Sequence, residues 1–182
     1  MQIGFYFDQT RCIGCDTCVV ACKDYNDIPP GVYWNRVTGI ERGEYPNLFV
    51  AFLFNSCYHC AEPACVSACP AGAIVKRKRD GIVIIEEEKC LGYDRCGSCQ
   101  EACPYDIPVF GSEKNAKAQK CNFCIDRLAL NKKPICVDGC PTRALDAGNL
   151  NELRVKYGDV NEAPGFTYSA ETKPSIVFKP KQ

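Results

Sequence analysis

The sequence predicts a small α+β fold in two modules, and three observations carry that prediction. Of 182 residues, 16 are cysteine, and they stand in four tight quartets rather than scattered through loops. An alternating or β-branched stretch runs up to two of the quartets, in "GFYFDQTRC" and "GIVIIEEEKC", as a strand does when it delivers the chain to a ligand loop. After two quartets the same continuation recurs: "CPAGAI" at 69–74 and "CPTRAL" at 140–145 each follow Cys-Pro with a turn and small apolar residues. Quartets used in pairs make two modules.

In chain order, the first quartet is "CIGCDTCVVAC", with Cys12, Cys15, Cys18 and Cys22. The second is "CYHCAEPACVSACP", with Cys57, Cys60, Cys65 and Cys69. The third, "CLGYDRCGSCQEACP", holds Cys90, Cys96, Cys99 and Cys103. The fourth, "CNFCIDRLALNKKPICVDGCP", holds Cys121, Cys124, Cys136 and Cys140. Every quartet closes with Cys-x3-Cys, and in the last three a proline follows the final cysteine. Three closely spaced cysteines around one cubane, with a fourth reaching the other cluster of a pair, is the bacterial ferredoxin pattern. Proline suits a chain leaving such a ligand, because its missing N–H is not needed as a helix or ladder donor.

Two other chemistries compete for these thiols. Structural zinc prefers two C-x2-C pairs held apart by a longer finger, and the run from Cys12 to Cys18 suits it badly. Disulfides are favoured by the cysteine content alone, which lies in the range of stapled scaffolds. Crowding Cys12, Cys15, Cys18 and Cys22 together fits them poorly, and the opening "MQIGFYFDQTRC" has no basic region of a secretory signal. Four [4Fe–4S] clusters are therefore expected, one for each four of the 16 cysteines.

Charge and hydropathy exclude other classes. The 22 basic and 22 acidic residues balance, so nothing in the whole chain points to nucleic acid. The one basic cluster, "KRKR" at 76–79, sits between "AIV" and "DGIVII" and reads as a solvated hairpin edge. The longest apolar run, "LFVAFLF" at 48–54, falls far short of the roughly 20 residues a membrane helix needs. Thiolate-bound clusters bring net negative charge, so Lys, Arg and backbone N–H groups near the cysteines are expected to offset it. Folding should be coupled to metal insertion. No acid–base pair, nucleophile arrangement or phosphate-binding glycine loop appears, and no catalytic residue is assigned.

At this level the chain resembles the four-cluster ferredoxin-like electron-transfer (beta) subunits of molybdenum or tungsten bis-pterin oxidoreductases, the dimethyl sulfoxide and polysulfide reductase type. The resemblance covers nearly the whole chain and rests on "CIGCDTCVVACKDYN", "GVYWNRV", "CYHCAEPACVSACPAGAI", "DGIVIIEEEKC", "CNFCIDR" and "CPTRALDAGNL". It implies one ferredoxin-like module inserted in the other: an outer module of residues 1–52 and 104–148, an inserted module of 53–103, and a short helix with an extended partner-binding tail at 149–182. It implies four ligand sets: Cys12, Cys15, Cys18 with Cys140; Cys22 with Cys121, Cys124, Cys136; Cys57, Cys60, Cys65 with Cys103; and Cys69 with Cys90, Cys96, Cys99. It also implies a partner, a larger molybdenum- or tungsten-pterin catalytic subunit, together with a membrane anchor subunit or a soluble electron carrier. A free-standing soluble polyferredoxin is the alternative. Cytoplasmic and periplasmic locations both remain open, the latter through a partner subunit.

Two quartets depart from the family pattern. Three additional residues separate Cys90 from Cys96, and Tyr93 takes the place where a second cysteine would fall, so Cys96 is expected to serve as the displaced ligand. In the first quartet Lys23 stands where a proline would be usual. Outside the cysteines, the sole histidine, His59, is read either as a hydrogen-bonding neighbour of a cluster or as simple packing. Trp34 is either an aromatic packed between modules or an anchor for a partner. Tyr25, Tyr33 and Tyr105 are read as structural. "DAGNLNELRVKYG" predicts a helix starting near Asn149 with Leu150, Leu153 and Tyr157 on one face, and the turn-rich stretch after it is either disordered or clamped to another subunit.

Overall fold

The computed structural model describes all 182 residues. Its first strand, β1 (Ile3–Asp8), leads to the first quartet, whose last two cysteines lie on α1 (Thr17–Tyr25). A long hairpin follows, β2 (Asn35–Arg42) and β3 (Phe49–Ser56). The second quartet spans α2 (Ala64–Ser67) and runs into a short hairpin, β4 (Ile74–Lys76) and β5 (Val83–Ile85). The third quartet spans α3 (Ser98–Glu101), and the fourth spans α4 (Ile125–Ala129) and α5 (Ile135–Asp138). The chain closes with β6 (Leu145–Asn149), α6 (Leu150–Tyr157) and β7 (Ile176–Lys179). The fold is α+β, with helices kept short because each ligand loop interrupts them.

Sheet order is β6-β1-β7, with β6 antiparallel and β7 parallel to the central strand. That makes β1 buried on both faces. Phe5 and Phe7 enter the main core with Phe54 and Phe123, while Tyr6 faces the other way and stacks on Tyr157 of α6 at 3.7 Å between centroids. The helix begins where the pattern predicts it. Asn149 caps it by accepting the N–H of Asn151, and Leu150 and Leu153 bury against Tyr6 and Val177. Asp146 ties the helix to the sheet: it accepts from Tyr157 Oη at 2.8 Å and Lys133 Nζ at 2.9 Å. Burial alone would raise its carboxyl pKa, but these hydrogen bonds hold it down at about 2.

Three expectations need correction. The C-terminal stretch is not a free extended tail, because it completes this chain's own sheet and core. Strand β7 pairs with β1 from Phe5↔Ile176 to Asp8↔Lys179, and Val177 and Phe178 are 1% and 0% exposed. Upstream of it, Phe166 stacks on Tyr105 and meets Tyr58 edge-on. The "SIVF" stretch buries its apolar side chains and satisfies its backbone in one step, and each such side chain contributes about 1.5–3 kcal/mol. The boundary at residues 52 and 53 falls inside β3, whose pairing with β2 continues unbroken to Asn35↔Ser56. In the basic cluster a hairpin does form, yet it is not wholly solvated. Lys76 Nζ turns inward to Cys60 O at 2.7 Å and Gln2 Oε1 at 2.8 Å, and Arg77 pairs with Asp80 at 2.7 Å.

Candidate metal centres

All 16 cysteines are free thiols, and most are buried or half-buried. The structure gathers them across quartets. Cys12, Cys15 and Cys18 line one small apolar hollow together with Cys140, walled by Phe7, Val37 and Phe54. A second hollow is lined by Cys57, Cys60, Cys65 and Cys103, and a third by Cys69, Cys90, Cys96 and Cys99. Of the remaining four, Cys22 lies on α1 and Cys136 on α5, two helices in contact, while Cys121 and Cys124 sit in the loop that leads into α4. There the Cys136 thiol is pushed well up, first by burial and then by Cys121, Cys124 and Cys22 close by. Crowding of this kind recurs throughout. Burial first, and then neighbouring thiols, raise Cys18 to about 12 and Cys99 to about 11.

Local backbone geometry aims donors at the sulfurs. The N–H groups of Ala73, Phe123 and Ala144 each lie 3.3 Å from the Sγ of Cys69, Cys121 and Cys140. Such turns need left-handed residues. Asp16, His59, Phe123, Cys124 and Arg143 all have positive φ, a conformation that costs of order 1–3 kcal/mol for side-chain-bearing residues. Gly14 also has positive φ, and a Cβ there would collide with the Phe52 ring, so the first ligand loop requires glycine. Cys15 is the exception to burial: it is exposed, and the Thr17 hydroxyl 3.3 Å from its sulfur holds its pKa below the usual range.

This donor set fits iron–sulfur clusters. Thiol clusters in apolar surroundings would be costly as free thiolates, and soft sulfur ligands with N–H groups pointed at them are what such clusters require. No three His, Cys, Asp or Glu side chains close on a single point as ligands of one ion would. An open surface groove beside Glu62, Lys76 and Glu171 carries no cysteine.

In the lengthened third quartet, Cys96 faces the hollow while Tyr93 turns outward onto Phe110, centroids 4.9 Å apart, and is 57% exposed. Gly92, at positive φ, lets the loop fold back on Asn115. Lys23 clamps the end of α1 through Nζ to Pro29 O at 2.9 Å and Val32 O at 2.6 Å. Trp34 is committed inside the chain: it packs beside Cys22, Ile28 and Val32 and gives its Nε1–H to Gln119 at 3.3 Å. His59 is fully buried, with Nδ1 accepting the Val83 N–H at 3.0 Å and its ring edge-on to Phe123. The sequence reading missed Lys120, which is 4% exposed and hydrogen-bonded to the carbonyls of Val83 and Cys121. Its position directly before Cys121 was the available signal.

Fold and donor set define an iron–sulfur electron-transfer protein. The model of the 4Fe–4S dicluster domain matches residues 48–150, and that of a 4Fe–4S binding domain matches residues 9–27. The chain belongs to the 4Fe–4S dicluster domain family. It is 44% identical to a chain of the anaerobic dimethyl sulfoxide reductase from Escherichia coli, over 98% of its own length and 89% of that relative's. Against the same-named protein of Haemophilus influenzae it is 42% identical, covering 100% and 90%. A sulfite dehydrogenase subunit of Allochromatium vinosum is 32% identical, the match covering 100% of the present sequence and 84% of that subunit. No helix is long and apolar enough to cross a membrane.

Proposed function

We propose that the chain is a non-catalytic subunit holding four [4Fe–4S] clusters, which passes electrons between a molybdenum- or tungsten-pterin catalytic subunit and a quinone-linked or soluble carrier. One observation carries the cluster count: three hollows each hold three cysteines from one quartet and a single cysteine from another, and around Cys136 stand Cys121 and Cys124 of its own quartet with Cys22 and Cys18 of the first. That division is the ferredoxin pattern, and it uses all 16 thiols. The ligand sets are Cys12, Cys15, Cys18, Cys140; Cys22, Cys121, Cys124, Cys136; Cys57, Cys60, Cys65, Cys103; and Cys69, Cys90, Cys96, Cys99. When bound, these groups accept and release single electrons. The chain's own residues fix their spacing, bury them from water and hold N–H donors against their sulfurs.

Insertion of one module in the other is supported by two contacts. Strands β1 and β6 join the first quartet's approach to the fourth quartet's exit, and α2 packs on α3 between the second and third quartets. A catalytic partner is supported by the dimethyl sulfoxide reductase relatives. Anaerobically purified holoprotein should contain about sixteen iron and sixteen acid-labile sulfide per chain. A reproducible value near twelve at full occupancy removes one cluster from the proposal, and zinc in place of iron removes all four. Pterin found in whatever co-purifies with the chain supports the partner, whereas a native protein that always isolates alone favours the polyferredoxin.

A further inference from the structure

Lys120 is a buried ammonium without a carboxylate. Its Nζ donates to the carbonyl oxygens of Val83 and Cys121, the latter at 3.0 Å, and no Asp or Glu lies within ion-pair distance. A lysine only 4% exposed is stable only where negative charge stands near it. His59 poses the same question beside it. Its Nδ1 accepts the N–H of Val83, the residue whose carbonyl Lys120 holds, so the proton of the neutral ring sits on Nε2. That Nε2 is buried and has no partner.

Both groups lie where two of the cysteine gatherings meet. Lys120 lines the hollow of Cys57, Cys60, Cys65 and Cys103, and it is bonded to the backbone of Cys121 in the neighbouring gathering. His59 stands in the 57–60 loop, and its ring rests edge-on, 5.2 Å between centroids, on Phe123 of the 121–124 loop. The missing counter-charge and the missing acceptor have one source in common, the anionic clusters and their sulfurs.

We propose that Lys120 and His59 form a shared tuning pair at the junction of the two modules, raising the reduction potentials of the centre held by Cys57, Cys60, Cys65, Cys103 and of the one held by Cys22, Cys121, Cys124, Cys136. This rests on the cluster assignment above. Each reduced centre carries one more negative charge than its oxidised form, so a fixed cation and an N–H donor close by favour reduction.

The test is a redox titration of the holoprotein followed by electron paramagnetic resonance, after wild-type iron and sulfide have been counted. A wild-type chain without its clusters sinks the function proposed above, independently of this inference. With clusters present, Lys120→Met should move two of the four titration waves to lower potential and leave the other two in place. Lys120→Arg, which keeps the charge, should leave those two waves much closer to wild type than Met does. If Lys120→Met loses iron, Lys120→Gln is titrated in its stead with the same expectation. His59→Leu should lower at least one of the same two waves. Fewer than two waves moving in the Lys120 variant, or all four moving together, overturns the proposal for the lysine, and unmoved waves in His59→Leu overturn it for the histidine.

Discussion

Residue by residue, the chemistry of the site comes down to which atoms are soft, buried and aimed. Cys96 and Tyr93 make the sharpest contrast. One lines the hollow with Cys69, Cys90 and Cys99, while the other packs outward on Phe110. Of the two, only the thiolate is the usual ligand of an iron–sulfur cluster. Cys96→Ser should therefore lower iron by up to about four atoms per chain, the content of one cubane, while Tyr93→Phe leaves it unchanged. Iron lost from the Tyr93 variant with the Cys96 variant intact would reverse the roles. Lys23 is a smaller case: a side chain replaces the usual proline and holds the same corner through two carbonyls.

At the scale of elements, the ordering of the chain's end matters most. Strand β7 fills an edge of the β6-β1-β7 sheet, and the segment before it packs on the walls of one cysteine hollow. Ser169 N–H donates to Tyr105 Oη at 3.1 Å, and Ser175 Oγ donates to His59 O at 3.1 Å. All cysteines lie upstream of residue 158, so a chain cut after Gly158 would keep every ligand if the tail were only a partner clamp. The fold argues otherwise. The cut removes the buried Phe166, Val177 and Phe178, each large apolar side chain being worth ~1.5–3 kcal/mol. Truncated protein should unfold at lower temperature and lose iron, first from the hollow of Cys57, Cys60, Cys65 and Cys103. Thermal melts and iron counts would check this, and a truncated chain with wild-type melting and full iron would return the tail to the role of a mere appendage.

For the whole molecule, the core is shared between hydrocarbon and thiols. The main cluster of buried residues counts Cys18, Cys57, Cys121, Cys136 and Cys140 among Phe5, Phe54 and Phe178. The thiols of Cys18, Cys121 and Cys136 are pushed up by burial and by neighbouring thiols, so keeping them there as thiolates calls for a bound metal centre. Binding energy is then folding energy. Stripping iron with a chelator under reducing, otherwise native conditions should abolish most slow amide exchange, and refilling with iron and sulfide should restore it. Apo-protein that keeps the native exchange pattern would show that hydrocarbon packing alone carries the fold.

Much of this was legible in the sequence because ligand loops are local. Most cysteines of a quartet stand only a few residues apart, so spacing, Cys-Pro exits and the family resemblance together pointed to iron–sulfur chemistry, and the apolar face of Leu150, Leu153 and Tyr157 pointed to the helix starting near Asn149. What lay beyond the sequence was set through space. Whether 159–182 reached out or folded back turned on β1 having a free edge beside it, a matter of sheet order that no local pattern records. Lys76 and Lys120 look like surface lysines in a string of letters. Only packing brought them inward, to carbonyls more than fifteen residues away such as Cys60 and Val83. His59 is the same lesson from the other side: its neighbours Cys57 and Cys60 are written next to it, but its partners Val83 and Phe123 are not. Sequence alone determined the kind of chemistry, because thiol spacing is covalent. The tertiary structure decided where charge and donors stand around it, because desolvation and hydrogen bonding depend on which distant segments come to share one interior.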